Sequence, residues 1–148
     1  MLYIASDHGG FQLKKYLLRY LTNQLKISTE DLGPAAYDES DDYPIYAAKL
    51  ARKVAKQKGA RGILICKTGH GVCMMANKVR GVRAILGYNI EGAEWGRNDE
   101  DANVLCLASK FISDEHACAI VKKFLETKFD NVERRVRRLK EIDAIDDL

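Results

Sequence analysis

Apolar and polar positions follow two rhythms along this chain. Leu2-Tyr3-Ile4-Ala5 is a short apolar run that ends in the polar Ser6-Asp7-His8-Gly9-Gly10; Leu13, Leu17 and Leu21 then recur every fourth residue, with lysines and an arginine between them. The first pattern predicts a strand, and the second a helix with one buried face and one wet face. The unit repeats. Residues 27–32 predict a weak strand closed by Gly33-Pro34, and 44–58 predict a helix with Pro44 in its first turn and Ala48, Ala51, Val54 and Ala55 as its inner stripe. Gly62-Ile63-Leu64-Ile65-Cys66 is unbroken apolar sequence, as expected of a central parallel strand covered on both faces. Beyond it the pattern predicts a helix over 72–78, a strand over 82–86, a helix over 91–97, a strand over 104–108, and helices over 114–125 and 132–142. Strands alternating with helices at this spacing imply an α/β fold whose parallel sheet is wound on both sides. Ligands of such sheets bind beyond the carboxyl ends of the strands. That rule brings forward Asp7-His8-Gly9-Gly10 and Cys66-Lys67-Thr68-Gly69-His70-Gly71.

Composition narrows the function classes. A chain of 148 residues fits one domain spanning 1–148, and 47% hydrophobic with 30% charged residues is a globular balance. The net charge of +3, from 24 basic and 21 acidic side chains, sets up no overall field for nucleic acid or an anionic membrane, so anion binding has to be local. No segment approaches the roughly 20 apolar residues of a membrane span. Cys66, Cys73, Cys106 and Cys118 sit among apolar neighbours with no secretory signal ahead of them, which predicts reduced thiols and a cytoplasmic protein. The acidic run over 38–42 reads as a solvated loop, with its Asp42-Tyr43-Pro44 end bordering the site.

The loop after residue 66 carries the candidate chemistry. Gly69 and Gly71 flank His70 between a strand and a helix, so several backbone N–H groups can turn toward one anion, either a phosphate or an enediolate oxygen. A purely structural turn has the same composition. Cys66 ends the strand facing those donors, which favour a thiolate able to act as a base; a buried cysteine serving as a small hydrophobe is the alternative, and suits Cys73, Cys106 and Cys118. The Gly-Lys-Ser/Thr ending of a nucleotide P-loop is missing, Val72 stands where a cysteine phosphatase needs arginine, and no Gly-x-Gly-x-x-Gly appears for a dinucleotide. Cys66, His70 and Cys73 offer mixed metal ligands but no evident fourth, so no metal is expected. Arg134 and Arg138 are four apart on a predicted helix and can grip one phosphate, or form part of a basic wet face balanced by Glu133, Glu141 and the acidic end of the chain. A nucleic-acid patch over 134–140 lacks interleaved aromatics.

With these residues placed, the chain resembles the type B ribose-5-phosphate isomerases, a family that also contains the subunits of galactose-6-phosphate isomerase. The resemblance covers nearly the whole chain. It rests on Ser6-Asp7-His8-Gly9-Gly10-Phe11, Asp42-Tyr43-Pro44, the run from Gly62 to Gly71, Ala76-Asn77-Lys78-Val79 and Asp101-Ala102-Asn103-Val104-Leu105. It implies a Rossmann-like, three-layer α/β/α fold with a five-stranded sheet and a C-terminal helix reaching a partner subunit. It also implies a homodimer or tetramer with shared sites, and aldose–ketose isomerisation of a sugar phosphate without cofactor or metal. By the same resemblance Cys66 moves the proton between C2 and C1, and the backbone of Lys67, Thr68, Gly69, His70 and Gly71 holds the developing oxyanion. Asp7 and Thr68 contact the sugar and aid ring opening, with Tyr43 beside them. His8, Arg134 and Arg138 bind phosphate, and Lys110 stands where many members carry arginine, keeping charge but losing bidentate geometry.

One departure matters more. Where the family usually has His-Asn as a ring-opening acid and its partner, this chain has Asp99-Glu100. Asp99, with Glu100 beside it, or His70 is expected to replace the missing group, both by their expected proximity to Thr68. The lead substrate is ribose 5-phosphate, interconverted with ribulose 5-phosphate. A six-carbon aldose phosphate and a catalytically impaired sugar-phosphate-binding homologue are the alternatives.

Overall fold

The computed structural model describes residues 1–145; the last three, with the acidic pair Asp146 and Asp147, lie outside the described residues. Five strands form one parallel sheet: β1 (Leu2–Ser6), β2 (Thr29–Asp31), β3 (Arg61–Cys66), β4 (Ala84–Leu86) and β5 (Val104–Ala108), in the order β2-β1-β3-β5-β4. Six helices connect and follow them: α1 (Phe11–Asn23), α2 (Tyr43–Lys56), α3 (His70–Ala76), α4 (Ile90–Glu100), α5 (Asp114–Glu126) and α6 (Glu133–Ala144). The expected doubly wound α/β fold is present.

Alternate strand residues divide between two cores, as a two-residue pleat dictates. Ile4, Ile63, Ile65, Leu105 and Leu107 face α1, α4 and α5. Tyr3, Ala5, Leu64, Cys66 and Cys106 face α2 and α3. Cys66 is thereby the uppermost residue of the α2–α3 core and the last residue of a central strand. The chain leaves β1 for β2 on one side and returns to β3 on the other, so the order reverses between β1 and β3. The crevice of a doubly wound sheet lies above such a reversal.

Several expectations shift by local hydrogen bonding. The strand expected over 82–86 begins only at Ala84, because the Asn103 side chain accepts from the Arg83 N–H at 2.8 Å. The strand expected from 27 begins at Thr29, because Ile27 N–H still bonds back to the α1 carbonyl of Leu21. The inner stripe of α2 consists of Ala47, Ala48, Leu50, Ala51 and Val54, while Ala55, expected inside, is exposed. α4 runs three residues past its expected end and stops at Asp101, whose φ is +44°.

The largest correction is Lys14, expected on the wet face of α1 and only 1% exposed. Its ammonium donates to both carboxylate oxygens of Asp31, at 2.7 and 2.8 Å, and to the Pro34 carbonyl at 2.7 Å. An ammonium has three N–H donors, so the burial leaves none unpaired.

Candidate active site

The crevice is floored by three loops that follow β1, β3 and β5. Ser6 pairs with Ile65 across β1 and β3, and the Asp7 N–H donates to the Ile65 carbonyl at 3.3 Å, which brings Asp7 level with Cys66. Ser109, just beyond β5, donates from its N–H to the Cys66 carbonyl at 3.0 Å and from its hydroxyl to the Gly9 carbonyl at 2.6 Å. The Lys110 N–H donates to the Lys67 carbonyl at 3.0 Å. The loops are therefore tied to each other chiefly through peptide groups.

At the centre, the Gly69 N–H donates to Cys66 Sγ at 3.1 Å. This bond needs Gly69 in the left-handed region, at φ +76°, where a side chain is strained. α3 begins at His70, two residues earlier than expected, so His70 and Gly71 form its first turn instead of lying in a loop. His70 is exposed, and its N–H lies 3.4 Å from the Thr68 hydroxyl. The Tyr43 ring, at the start of α2, packs so closely on Gly71 that a Cβ there would meet its Cζ at 2.5 Å. Cys66 is 5% exposed, with its sulfur against a peptide donor at the crevice floor.

Asp7 is 7% exposed and accepts from the Gly10 N–H at 3.1 Å. Burial pushes its carboxyl above the ordinary 3.8, although the Gly10 N–H and the neighbouring His8 pull the other way. A carboxyl whose folded value is raised binds its proton more readily folded than unfolded, so stability is present below pH 3.8 and declines as pH rises through the folded value. Asp7→Asn is accordingly expected to raise the melting temperature at pH 7 while lowering activity. Thermal scans should show the gain fading as the pH falls below about 4; equal gains at both pH values would contradict the assignment.

His8 lies in a one-turn helix, His8–Gly10, with Nδ1 2.7 Å from Asp41 Oδ1. The Asp41 hydrogen bond, outweighing burial, raises its imidazole above the ordinary 6.5. Among the described residues, Asp7, His8 and Asp41 are the one group of three metal-type ligand atoms within 4.8 Å of one another; Cys66, His70 and Cys73 form no such group. Because Asp41 already occupies Nδ1 by a hydrogen bond, the trio is a charge-paired cluster. The acidic run was expected to be solvated throughout, and Asp41 is its exception: its side chain is 6% exposed.

Asp99, Glu100, Arg134 and Arg138 are elsewhere in the chain. α4 descends from the top of β4 to the foot of β5, and the Glu100 carbonyl accepts from Arg83, next to the start of β4. The sheet rises about 13 Å between that level and Cys66, at about 3.3 Å per residue. Asp99 therefore does not meet Thr68 within one chain. Its Oδ1 accepts instead from Arg135 on α6 and from Asn98, both at 2.8 Å. Arg135 also pairs with Asp130, and Arg137 with Glu133 and Glu141, whereas Arg134 and Arg138 are exposed with no ion-pair partner among the described residues. Two contributors escaped the sequence, Ser109 and Asp41. Only the strand-end position of Ser109 signalled it; Asp41 looked like its solvated neighbours.

Comparison with known proteins agrees with this architecture. A family model described as Ribose/Galactose Isomerase matches residues 2–142. A protein of Mycoplasma pneumoniae named "Probable ribose-5-phosphate isomerase B" is 46% identical over 129 residues, covering 87% of this chain and 84% of that one. The D-erythrulose-4-phosphate isomerase 2 of Mycolicibacterium smegmatis is 36% identical over 128 residues, covering 86% and 84%. The crystal structure of ribose-5-phosphate isomerase B from Mycoplasma genitalium, with ribulose-5-phosphate bound, superposes with a TM-score of 0.94 at 43% identity, covering 99% of this chain and 95% of that one. A matched family model over nearly the full length, on a sheet whose reversal point carries a cysteine under a peptide donor, places this chain in the ribose/galactose isomerase family.

Proposed function

We propose that this protein interconverts ribose 5-phosphate and ribulose 5-phosphate, with Cys66 as the base. The observation that carries the reading is the Gly69 N–H on Cys66 Sγ, at the strand end that meets the crevice. A thiolate there removes the proton on C2 of the open-chain aldose. The electron pair moves into a C1–C2 double bond, and the charge settles on O1, where inward-turned N–H groups of the loop over 67–71 oppose it. Return of the proton from sulfur to C1, with transfer of the O2 hydroxyl proton to O1, completes the ketose. Asp7, with its raised carboxyl, and Thr68 handle the ring oxygen. His70 serves as the ring-opening group from the same side as Cys66, and Asp99 reaches that place only from another copy.

His8 and Lys110 hold the phosphate from the Cys66 side, and Arg134 and Arg138 of a second copy close over it. Support comes from the two halves of the site lying at opposite ends of the strands of one sheet, and from large apolar side chains left exposed on α3, on α4 and after β4, namely Met74, Trp95 and Tyr88. The test is complementation. Chains carrying Cys66→Ala and chains carrying Arg138→Ala, each inactive alone, are expected to regain up to about a quarter of wild-type turnover when refolded together, the statistical share for two independent sites in a mixed dimer. No recovery would place both groups in one chain's site. Four-, five- and six-carbon aldose phosphates, assayed side by side, settle substrate length; faster turnover of a six-carbon substrate would favour that alternative.

A further inference from the structure

We propose that Asp41 is a positioning residue for phosphate binding: it fixes the His8 ring with Nδ1 as the inner donor and keeps the imidazolium charged, leaving Nε2–H outward for a phosphate monoester dianion. The proposal rests on the reading of His8 as a phosphate ligand and adds the residue that makes His8 competent for that role.

One oxygen of Asp41 makes two bonds to one residue. Oδ1 accepts from the His8 backbone N–H at 3.0 Å and lies 2.7 Å from Nδ1, so the backbone and the ring are fixed together. The other oxygen, Oδ2, is buried and has no hydrogen-bond partner. Burying a carboxylate with an idle oxygen costs free energy, and an asparagine or serine could accept the same backbone N–H at lower cost. What a carboxylate adds is negative charge against the imidazole.

The charge has a use near neutral pH. A phosphate monoester becomes a dianion above about pH 6, whereas an unaided imidazole loses its proton above about pH 6.5. Without help the two partners would be fully charged together over almost no interval. The groups facing His8 widen that interval. Asp7 lies on the preceding residue, Asp38 and Asp41 lie on the connection from β2 to α2, and all three favour the imidazolium, while partial burial opposes it. The Tyr37 ring meets the imidazole edge-on at 6.3 Å and closes that side. With Nδ1 engaged, Nε2 is the remaining ring donor, on a side chain about one-third exposed.

Asp41→Asn tests this, because asparagine keeps the shape and both acceptor contacts but removes the charge. NMR titration of the full chain, with the His8 signal assigned by its loss in His8→Gln, is expected to show the His8 midpoint falling by about one pH unit in Asp41→Asn. The KM for ribose 5-phosphate is expected to rise about tenfold at pH 8 and to stay within about twofold of wild type at pH 6, with kcat changed less than about threefold. Comparing variant with wild type at each pH cancels the ionisation of the substrate itself. Asp41→Glu should restore most of the loss. Asp41→Ser, which keeps an acceptor for the backbone N–H, replaces Asp41→Asn if the latter does not fold.

An unmoved His8 midpoint, or a KM raised equally at both pH values, would overturn the proposal by showing that Asp41 only packs its loop. His8→Gln separates this from failure of the phosphate reading. If His8→Gln leaves KM unchanged, His8 is not a phosphate ligand; if it raises KM while Asp41→Asn does not, only the role of Asp41 falls.

Discussion

Cys66→Ala is expected to lower kcat by about a thousandfold, within the range that positioned proton-transfer groups contribute, with KM for ribose 5-phosphate within about threefold of wild type. The reason is local. Sγ is the one group at the tip of β3 that meets the Gly69 N–H, and alanine leaves that donor and the loop around it in place without a base. A coupled assay for ribulose 5-phosphate, paired with calorimetric binding of ribose 5-phosphate, reads the two effects separately. Cys118→Ala is the control. Cys118 lies in the core on the α5 side of the sheet, where burial raises its thiol to about 11, and its loss should leave turnover unchanged. Retained turnover in Cys66→Ala would remove the proposed base altogether, and intact binding without turnover in the wild type would identify a sugar-phosphate sensor.

Asp31→Ala should produce the largest loss of stability. The Lys14 ammonium is buried, and two of its three hydrogen bonds end on Asp31. Removing the carboxylate leaves a buried charge with only the Pro34 carbonyl, and breaking such a pair costs about 3–5 kcal/mol when both partners are buried. Asp31 is about one-third exposed, so the expected loss lies at about 2–3 kcal/mol, read from urea unfolding midpoints at constant slope. Lys14→Met in the Asp31→Ala background should recover much of it, because an apolar chain of similar length removes the unpaired charge. A double-mutant cycle showing no coupling would mean that the pair is not an energetic unit.

The parts of this molecule that depend on pattern were legible in the sequence. Unbroken apolar runs in β1 and β3, and the four-residue recurrence of Leu13, Leu17 and Leu21, led directly to a parallel sheet with helices on both faces. The strand-end rule then located Asp7, Cys66 and the glycine-rich turn. Contacts between distant side chains were not legible. Lys14 looks wet because helical periodicity records only which face a residue is on, not whether an aspartate seventeen residues later will meet it. Asp41 looks like Asp38 and Asp42, and only the folded loop turns it inward toward His8. Asp99 was expected near Thr68 by the family resemblance, which carries a residue's role but not the copy of the chain that supplies it. Once α4 runs antiparallel to the strands, its end must lie at the foot of the sheet.

The floor of the crevice is made of main chain. Ser109 N–H to Cys66 carbonyl, Lys110 N–H to Lys67 carbonyl and Asp7 N–H to Ile65 carbonyl depend little on which side chains rise above them. Substitution along the rim can therefore alter which sugar is admitted while the reacting carbons keep the same bed. A scaffold with this division of labour can diverge in cargo without reinventing its chemistry, and relatives named for sugar phosphates of different lengths match most of this chain.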